Sequence, residues 1–164
     1  MSRERKISYF TLFIAMSSLG AMVKIPAIVG TIALDSLPAL IASVLLGPIA
    51  GAIVASLGHF ISALLSGLPL GPFHLLIAVE MAILVFLFGL LYKKGKKFIS
   101  YFLFTIGNAI IAPLPFLFII HASFYFSILP SLFIGTTLNI ILAIVVLPRL
   151  QGIRRTKPKE VHIR

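Results

Sequence analysis

The chain has 164 residues, of which 60% are hydrophobic and only 11% are charged, and its net charge is +10. A soluble domain carries about twice that share of charged residues, so the composition excludes an ordinary soluble protein and predicts a membrane protein. The length leaves room for about six spans of roughly 20 residues, with no attached soluble domain. There is no cysteine, which excludes a disulfide framework, a zinc-thiolate site and a thiol redox motif.

The apolar runs predict an all-α membrane protein, a six-transmembrane-helix bundle formed by a single domain over residues 1–164. The first run is interpreted as a span because it is too long for a cleaved signal peptide. Pro148 is expected to end the last span, since proline interrupts a helix. The predicted spans are 7–23, 37–46, 49–65, 73–92, 98–120 and 125–147.

The positive charges predict that both termini are cytoplasmic. Residues 1–6 form a basic N-terminus and residues 149–164 a basic cytoplasmic tail. If the connections alternate from there, thirteen of the fourteen Lys and Arg residues fall on the inner side, and only Lys24 falls outside. This distribution follows the positive-inside rule and is satisfied by an even number of spans.

Residues 24–36 are predicted to form an outer loop that lies over the protein as a lid. The segment is too long for a tight turn and too apolar to extend into water. Lys24 and Asp35 flank it, either as a latch, as substrate contacts or as solvated charges. Asp35 also suits the N-cap of the second span, because a carboxylate accepts hydrogen bonds from free helix N–H groups.

Glu80 is an acidic side chain about 12 Å into the fourth span, at 1.5 Å per residue. An unpaired carboxylate at that depth costs a few kcal/mol, so it is expected to contact a ligand, carry a proton, or pair with His59 at a similar depth. His59 lies among serines and is either a site residue or a packing residue. His74 is about 120° from Glu80 around the helix, so the two are not expected to face one ligand squarely.

Two asparagines occupy matching positions in the last two spans. Each has a threonine three residues before it and an alanine four residues after it, and these faces should turn inward because amides avoid lipid. Asn108 and Asn139 are therefore expected to contact a ligand or to form interhelical hydrogen bonds. The two sets are Thr105, Asn108 and Ala112, and Thr136, Asn139 and Ala143.

The sequence predicts no enzyme and no resident cofactor. His59, His74 and Glu80 do not have the spacing of a metal site, so no metal ligands are expected. There is no Walker A sequence, no GxSxG and no serine–histidine–acid set, so neither catalytic residues nor ATP hydrolysis by this chain is predicted.

The run LLGPIAGAIVASLGHFISALLSGLPLGP, the short basic start and six spans in under 200 residues together carry a family resemblance. The chain resembles the substrate-binding S components of energy-coupling factor (ECF) transporters, particularly their riboflavin-type branch. Within that branch, GTIALDSLPA and GHFISALLSGLPLGPFHLLIAVEMA are similar to members assigned to cobalamin precursors such as α-ribazole. The start Met-Ser-Arg differs from the Met-His that is usual in the nickel and cobalt branch.

The resemblance implies a high-affinity binding subunit of an importer for a vitamin or precursor in the prokaryotic cytoplasmic membrane. The substrate would lie in the outer half, beneath the loop between spans 1 and 2 and against spans 4 to 6. ATP would be used by two ATPase subunits that join a transmembrane coupling subunit. Thr11 and Ala15, with Ser18, would contact that subunit, with Thr11 replacing an alanine.

The expected substrate-binding residues are Glu80, His59, Asn108, Asn139, His74 and Asp35. Two alternatives remain at this point. One is a stand-alone secondary transporter or small channel for an organic solute, and the other is a membrane assembly subunit without a ligand.

Overall fold

Helices make up nearly all of the described chain. The computed structural model describes residues 3–22, 25–26, 31–32 and 34–156. The elements in chain order are α1 (Arg3–Met22), β1 (Ile25–Pro26), β2 (Thr31–Ile32), α2 (Ser36–Leu45), α3 (Pro48–Leu65), α4 (Phe73–Lys93), α5 (Lys97–Ile106), a π-helical segment (Gly107–Ile111), α6 (Leu114–Ile119) and α7 (Ala122–Thr156).

Four helical stretches among the described residues are long and apolar enough to cross a membrane. They are Pro48–Leu65, Phe73–Lys93, Lys97–Ile119 and Ala122–Gly152. The third joins α5, the π-helical segment and α6. The prediction of a helical membrane protein is thus confirmed. Six spans and cytoplasmic termini stay predictions, since α2 is shorter and α1 begins with charged residues.

The predicted end of the last span at Pro148 is wrong. α7 continues through Pro148 to Thr156, so the first part of the predicted tail is helical. The Arg149 side chain donates from Nη1 to Val145 O at 3.2 Å in this turn, and packing supports the helix. Leu147 is fully buried, and Leu150 packs against the core.

The short helix α2 lies at the centre of the bundle. Its 10 residues cover roughly 15 Å, about half of a membrane's hydrocarbon core. Most of α2 is buried, including fully enclosed Leu40 and Ser43, and it packs on α1, α3, α4 and α7. Gly51 permits the close approach of α3, because a Cβ there would overlap Ser43.

The ends of the helices assemble at two sides of the bundle. Lys6 of α1, Leu46 after α2 and Lys93 of α4 surround one groove, so the start of α1 lies beside the ends of α2 and α4. The opposite side contains Asp35 before α2 and the connection between α3 and α4. This arrangement gives α1, α2, α3 and α4 alternating directions.

A small antiparallel ribbon forms part of the predicted lid. Ile25 pairs with Ile32 and Pro26 with Thr31, and β2 lies beside α7. Lys24 and residues 27–30 and 33 of the predicted lid lie outside the described residues.

Candidate functional site

A cavity of about 340 Å³ opens between the helices on the Asp35 side of the bundle. Its walls come from α4, the π-helical segment, α6 and α7, with contributions from the start of α2 and from α3. All the predicted substrate-binding residues line it: Asp35, His59, His74, Glu80, Asn108 and Asn139. His74 and Glu80 thus face one space, although their helical spacing predicted otherwise.

Most of the remaining cavity surface is apolar and includes aromatic side chains. Phe116 contacts Phe73 and Phe124 edge to face, with ring centroids 6.0 and 6.3 Å apart. Such walls suit the flat surface of an organic ring. The apolar lining residues are Leu70, Ile77, Met81, Ala112, Pro113, Phe116, Phe124, Ile128 and Leu132.

Glu80 lines this cavity and has a buried carboxylate oxygen. Its Oε2 atom has no hydrogen-bond partner among the described residues. The predicted pair between Glu80 and His59 is not formed, because His59 contacts other residues. A buried acceptor without a donor is costly, so this oxygen is the strongest indication of a ligand in the cavity.

His59 and His74 form a directional array at one side of the cavity. The Leu70 N–H donates to His74 Nε2 at 3.3 Å, and His74 Nδ1 lies 3.3 Å from His59 Nε2. With His74 accepting at Nε2, its proton is on Nδ1 and is donated to His59. His59 then carries its proton on Nδ1, which lies 3.8 Å from Asp35 Oδ2. Both rings are therefore held by the protein.

Asp35 occupies the N-cap position of α2, but its side chain makes no capping hydrogen bond. The capping prediction is wrong in that respect. Its Oδ1 atom instead accepts from Ser36 Oγ at 3.2 Å, and its backbone carbonyl accepts from Ser17 Oγ of α1 at 2.6 Å. Asp35 consequently connects the cavity wall to α1.

Asn139 supplies the acceptor that α2 needs at its start. Its Oδ1 accepts from the Leu37 N–H at 2.9 Å, and its Nδ2 donates to Gly135 O at 2.9 Å. Both ends of the amide are therefore used within the protein. The sequence offered no signal for this contact, since Leu37 and Asn139 are far apart in the chain.

The π-helical segment sets the direction of Asn108. The Ala112 N–H bonds to Gly107 O at 2.7 Å, and the Tyr125 hydroxyl donates to Ile110 O at 3.2 Å. π-helical turns are frequent at functional sites. Asn108 Nδ2 donates to Thr136 Oγ1 at 2.7 Å, which is the interhelical hydrogen bond that the matched patterns anticipated.

The matched patterns in the last two spans only partly face the cavity. Asn108 and Ala112 line it, as do Thr136 and Asn139. Thr105 instead bonds to Tyr101 O in its own helix, and Ala143 is buried in the core.

The predicted coupling face of α1 is partly accessible. Thr11 and Ala15 are exposed, and the Thr11 hydroxyl is satisfied by Ile7 O at 3.1 Å. Ser18 shares their helical spacing but is only 9% exposed, and its hydroxyl bonds to Ile14 O. Its side chain is thus not available to a partner in the way Thr11 and Ala15 are.

Comparison with known proteins agrees with this architecture. A family model described as "ECF transporter, substrate-specific component" matches residues 5–150. A solved structure described as the S component of a bacterial ECF transporter superposes with a TM-score of 0.75. The alignment covers 93% of this chain and 98% of that one at 20% identity, which shows a shared fold. No curated protein matches the chain.

Proposed function

The chain belongs to the family of substrate-specific components of energy-coupling factor transporters, and from that premise we propose that it captures a vitamin or vitamin precursor. As a family member it is the substrate-binding subunit of an importer. S components bind a small molecule and work with a membrane-embedded coupling component and ATPases. The preferred ligand is α-ribazole or a related cobalamin precursor, and riboflavin is the next candidate.

One observation carries the proposal: Glu80, whose buried Oε2 has no hydrogen-bond partner among the described residues, lines a largely apolar cavity. A carboxylate inside a membrane is expensive unless it is paired, protonated or hydrated. The volume of about 340 Å³ falls within the range of small-molecule sites. A hydrogen-bond donor on a ring-shaped ligand would satisfy Glu80 while the ring contacts the apolar wall.

The other cavity residues divide into ligand contacts and supports in this proposal. Glu80 and Asn108 contact the ligand directly. His59, His74 and Asp35 hold the outer wall through their array, and Asn139 fixes the start of α2 beside the ligand. The described residues of the predicted lid, 25–26, 31–32 and 34–36, would cover the entrance. The chain needs no cofactor of its own, and ATP hydrolysis by the partner subunits drives release inward across the cell membrane.

Contact with the coupling subunit is proposed for the exposed pair Thr11 and Ala15. Small residues four positions apart allow another helix to approach closely within lipid. The internally bonded Thr11 hydroxyl leaves its methyl group for such packing. Ser18 would support the same face from within the bundle.

A binding measurement tests the proposal directly. The purified chain is titrated with α-ribazole and with riboflavin, and we expect saturable binding of one of them. Glu80→Gln and Asn108→Ala should each weaken that binding about 10- to 100-fold, because each removes a buried hydrogen bond to the ligand. Glu4→Gln, an equivalent change at an exposed position of α1, is the matched control.

Two results would contradict the proposal. Unchanged affinity in both cavity variants would remove Glu80 and Asn108 from the site. Uptake into vesicles by the chain alone, without coupling and ATPase subunits, would identify a stand-alone carrier instead.

A further inference from the structure

We infer that the cavity accepts a neutral or cationic ligand that brings hydrogen-bond donors, and that it rejects the phosphorylated form of the same ligand. The inference rests on the proposed function and specifies its substrate class. It follows from which polar atoms around the cavity remain available and from the charges of the lining residues.

Two lining side chains, Glu80 and Asn108, offer acceptor oxygens to a ligand. Glu80 Oε2 is buried without a donor in the described part of the chain. Asn108 uses Nδ2 in its hydrogen bond to Thr136, which orients the amide and leaves Oδ1 as its acceptor. A ligand that places one N–H or O–H near each of these oxygens would satisfy both.

The lining side chains with N–H groups already donate within the protein. Asn139 Nδ2 is bonded to Gly135 O, and Asn108 Nδ2 is bonded to Thr136. In the histidine array, His74 donates to His59, whose Nδ1 lies 3.8 Å from Asp35 Oδ2. An anionic ligand could still use the second N–H of each amide, but it would find no Lys or Arg among the described lining residues.

The charge of the cavity also opposes a phosphate. Asp35 and Glu80 are its acidic residues, and no Lys or Arg is among the described residues that line it. Sites for phosphate groups normally supply Arg, Lys or several N–H donors. Burying a phosphate near two carboxylates would cost desolvation energy that no Lys or Arg among the described lining residues recovers.

Matched ligand pairs test the inference on the intact wild-type chain. Binding is measured for α-ribazole against α-ribazole 5′-phosphate and for riboflavin against flavin mononucleotide. We expect the unphosphorylated member of the bound pair to bind at least about 100-fold more tightly. Glu80→Gln should reduce this ratio about tenfold or more by removing a negative charge, whereas Glu4→Gln should leave it unchanged.

The outcomes separate this inference from the proposed function. Equal or tighter binding of the phosphorylated member would overturn the selectivity while the function as a vitamin-binding subunit stands. If neither pair binds, the proposed ligands are wrong, and thermal stabilisation by a wider panel of vitamins with and without their phosphates decides the selectivity. Stabilisation by any phosphorylated member that matches or exceeds its parent would overturn it.

Discussion

At the scale of single residues, the start of α2 depends on an acceptor from another helix. The first N–H groups of any helix have no partner within it, and here they lie inside the bundle rather than in water. Asn139 Oδ1 reaches across from α7 to the Leu37 N–H. Since Asp35 does not cap the helix with its side chain, Asn139 performs that role.

Replacing Asn139 should therefore lower stability before it affects ligand chemistry. Asn139→Ala removes the cap and leaves a buried N–H unpaired, which should cost about 2 kcal/mol. For a chain of this size that corresponds to a decrease of about 4–8 °C in Tm. The measurement is thermal unfolding of the purified chain in detergent without ligand.

Asn139→Asp and Asn108→Ala serve as comparisons. Asn139→Asp keeps an acceptor for Leu37 and should recover part of the lost stability, although it loses the bond to Gly135. Asn108→Ala truncates a similar side chain that caps no helix, so its effect should be smaller. Equal Tm values for Asn139→Ala and wild type would show that the contact with Leu37 contributes little.

Sequence indicated which polar side chains turn into the bundle but not which residues they contact there. Glu80, Asn108 and Asn139 stand out because each is polar within an apolar run, and such side chains turn away from lipid. All three line the cavity. Whether His59 meets Glu80 or His74 depends on how α3 and α4 are rotated against each other. That rotation is set by packing across the whole interface between the two helices. The hydrophobic periodicity of each helix does not determine it.

At the scale of elements, α1 and α3 approach through a glycine. A Cβ on Gly58 would overlap both Oγ and Cβ of Ser17. Ser17 is almost completely buried and also holds the Asp35 carbonyl through its hydroxyl. The same contact therefore joins α1 to α3 and to the start of α2, next to the cavity.

A methyl group at this contact should separate the two helices. Gly58→Ala is expected to destabilise the chain by about 1–3 kcal/mol, because the added Cβ would overlap the Ser17 side chain and one of the two helices must shift. Adding Ser17→Gly removes the Oγ and Cβ atoms that the new methyl group would overlap, so it should restore part of the lost stability. The four chains of this double-mutant cycle are compared by thermal unfolding in detergent.

Gly152→Ala is the control for the cycle. Its Cβ would meet nothing within 4 Å, so the substitution should be neutral or slightly stabilising in a helix. If the Gly58→Ala and Ser17→Gly effects simply add, the two residues are not coupled and the proposed contact between α1 and α3 is wrong.

Most helix positions could be predicted because their apolar runs are bounded by Pro, Gly and Lys. The predicted spans at 37–46, 49–65 and 73–92 each match a helix within one residue at either end. The π-helical segment around Asn108 could not be predicted, since it depends on contacts such as that from Tyr125. The continuation of α7 beyond Pro148 likewise depends on Leu147 and Leu150 packing against the core, which outweighs the local effect of proline.

At the scale of the whole molecule, the cations and the cavity lie at opposite sides of the bundle. Lys6 and Lys93 lie round one groove, whereas Asp35, His59 and His74 surround the cavity on the other side. Positive charge favours the cytoplasmic face of a membrane. The cavity would then open toward the outside, which is the direction from which an importer captures its substrate.

The orientation can be tested with single cysteines, because the natural chain contains none and gives no background labelling. Ser66→Cys, exposed after α3, and Ser123→Cys, exposed in the first turn of α7, lie on the cavity side and should react with a membrane-impermeant maleimide on intact cells. Lys94→Cys, exposed on the opposite side, should react only after permeabilisation. Each variant must first retain ligand binding.

Variants near the two ends of the described chain then show whether the number of crossings between labelled positions is odd or even. Glu4→Cys and Gly152→Cys are exposed positions in α1 and α7, and both should be protected in intact cells if the termini are cytoplasmic. The cysteine-free chain is the negative control. External labelling of both Glu4→Cys and Ser66→Cys would give an even number of crossings before α4 and contradict six spans, whereas external labelling of Lys94→Cys would reverse the orientation. Protection at Glu4, Lys94 and Gly152 with labelling at Ser66 and Ser123 is the pattern that six spans require.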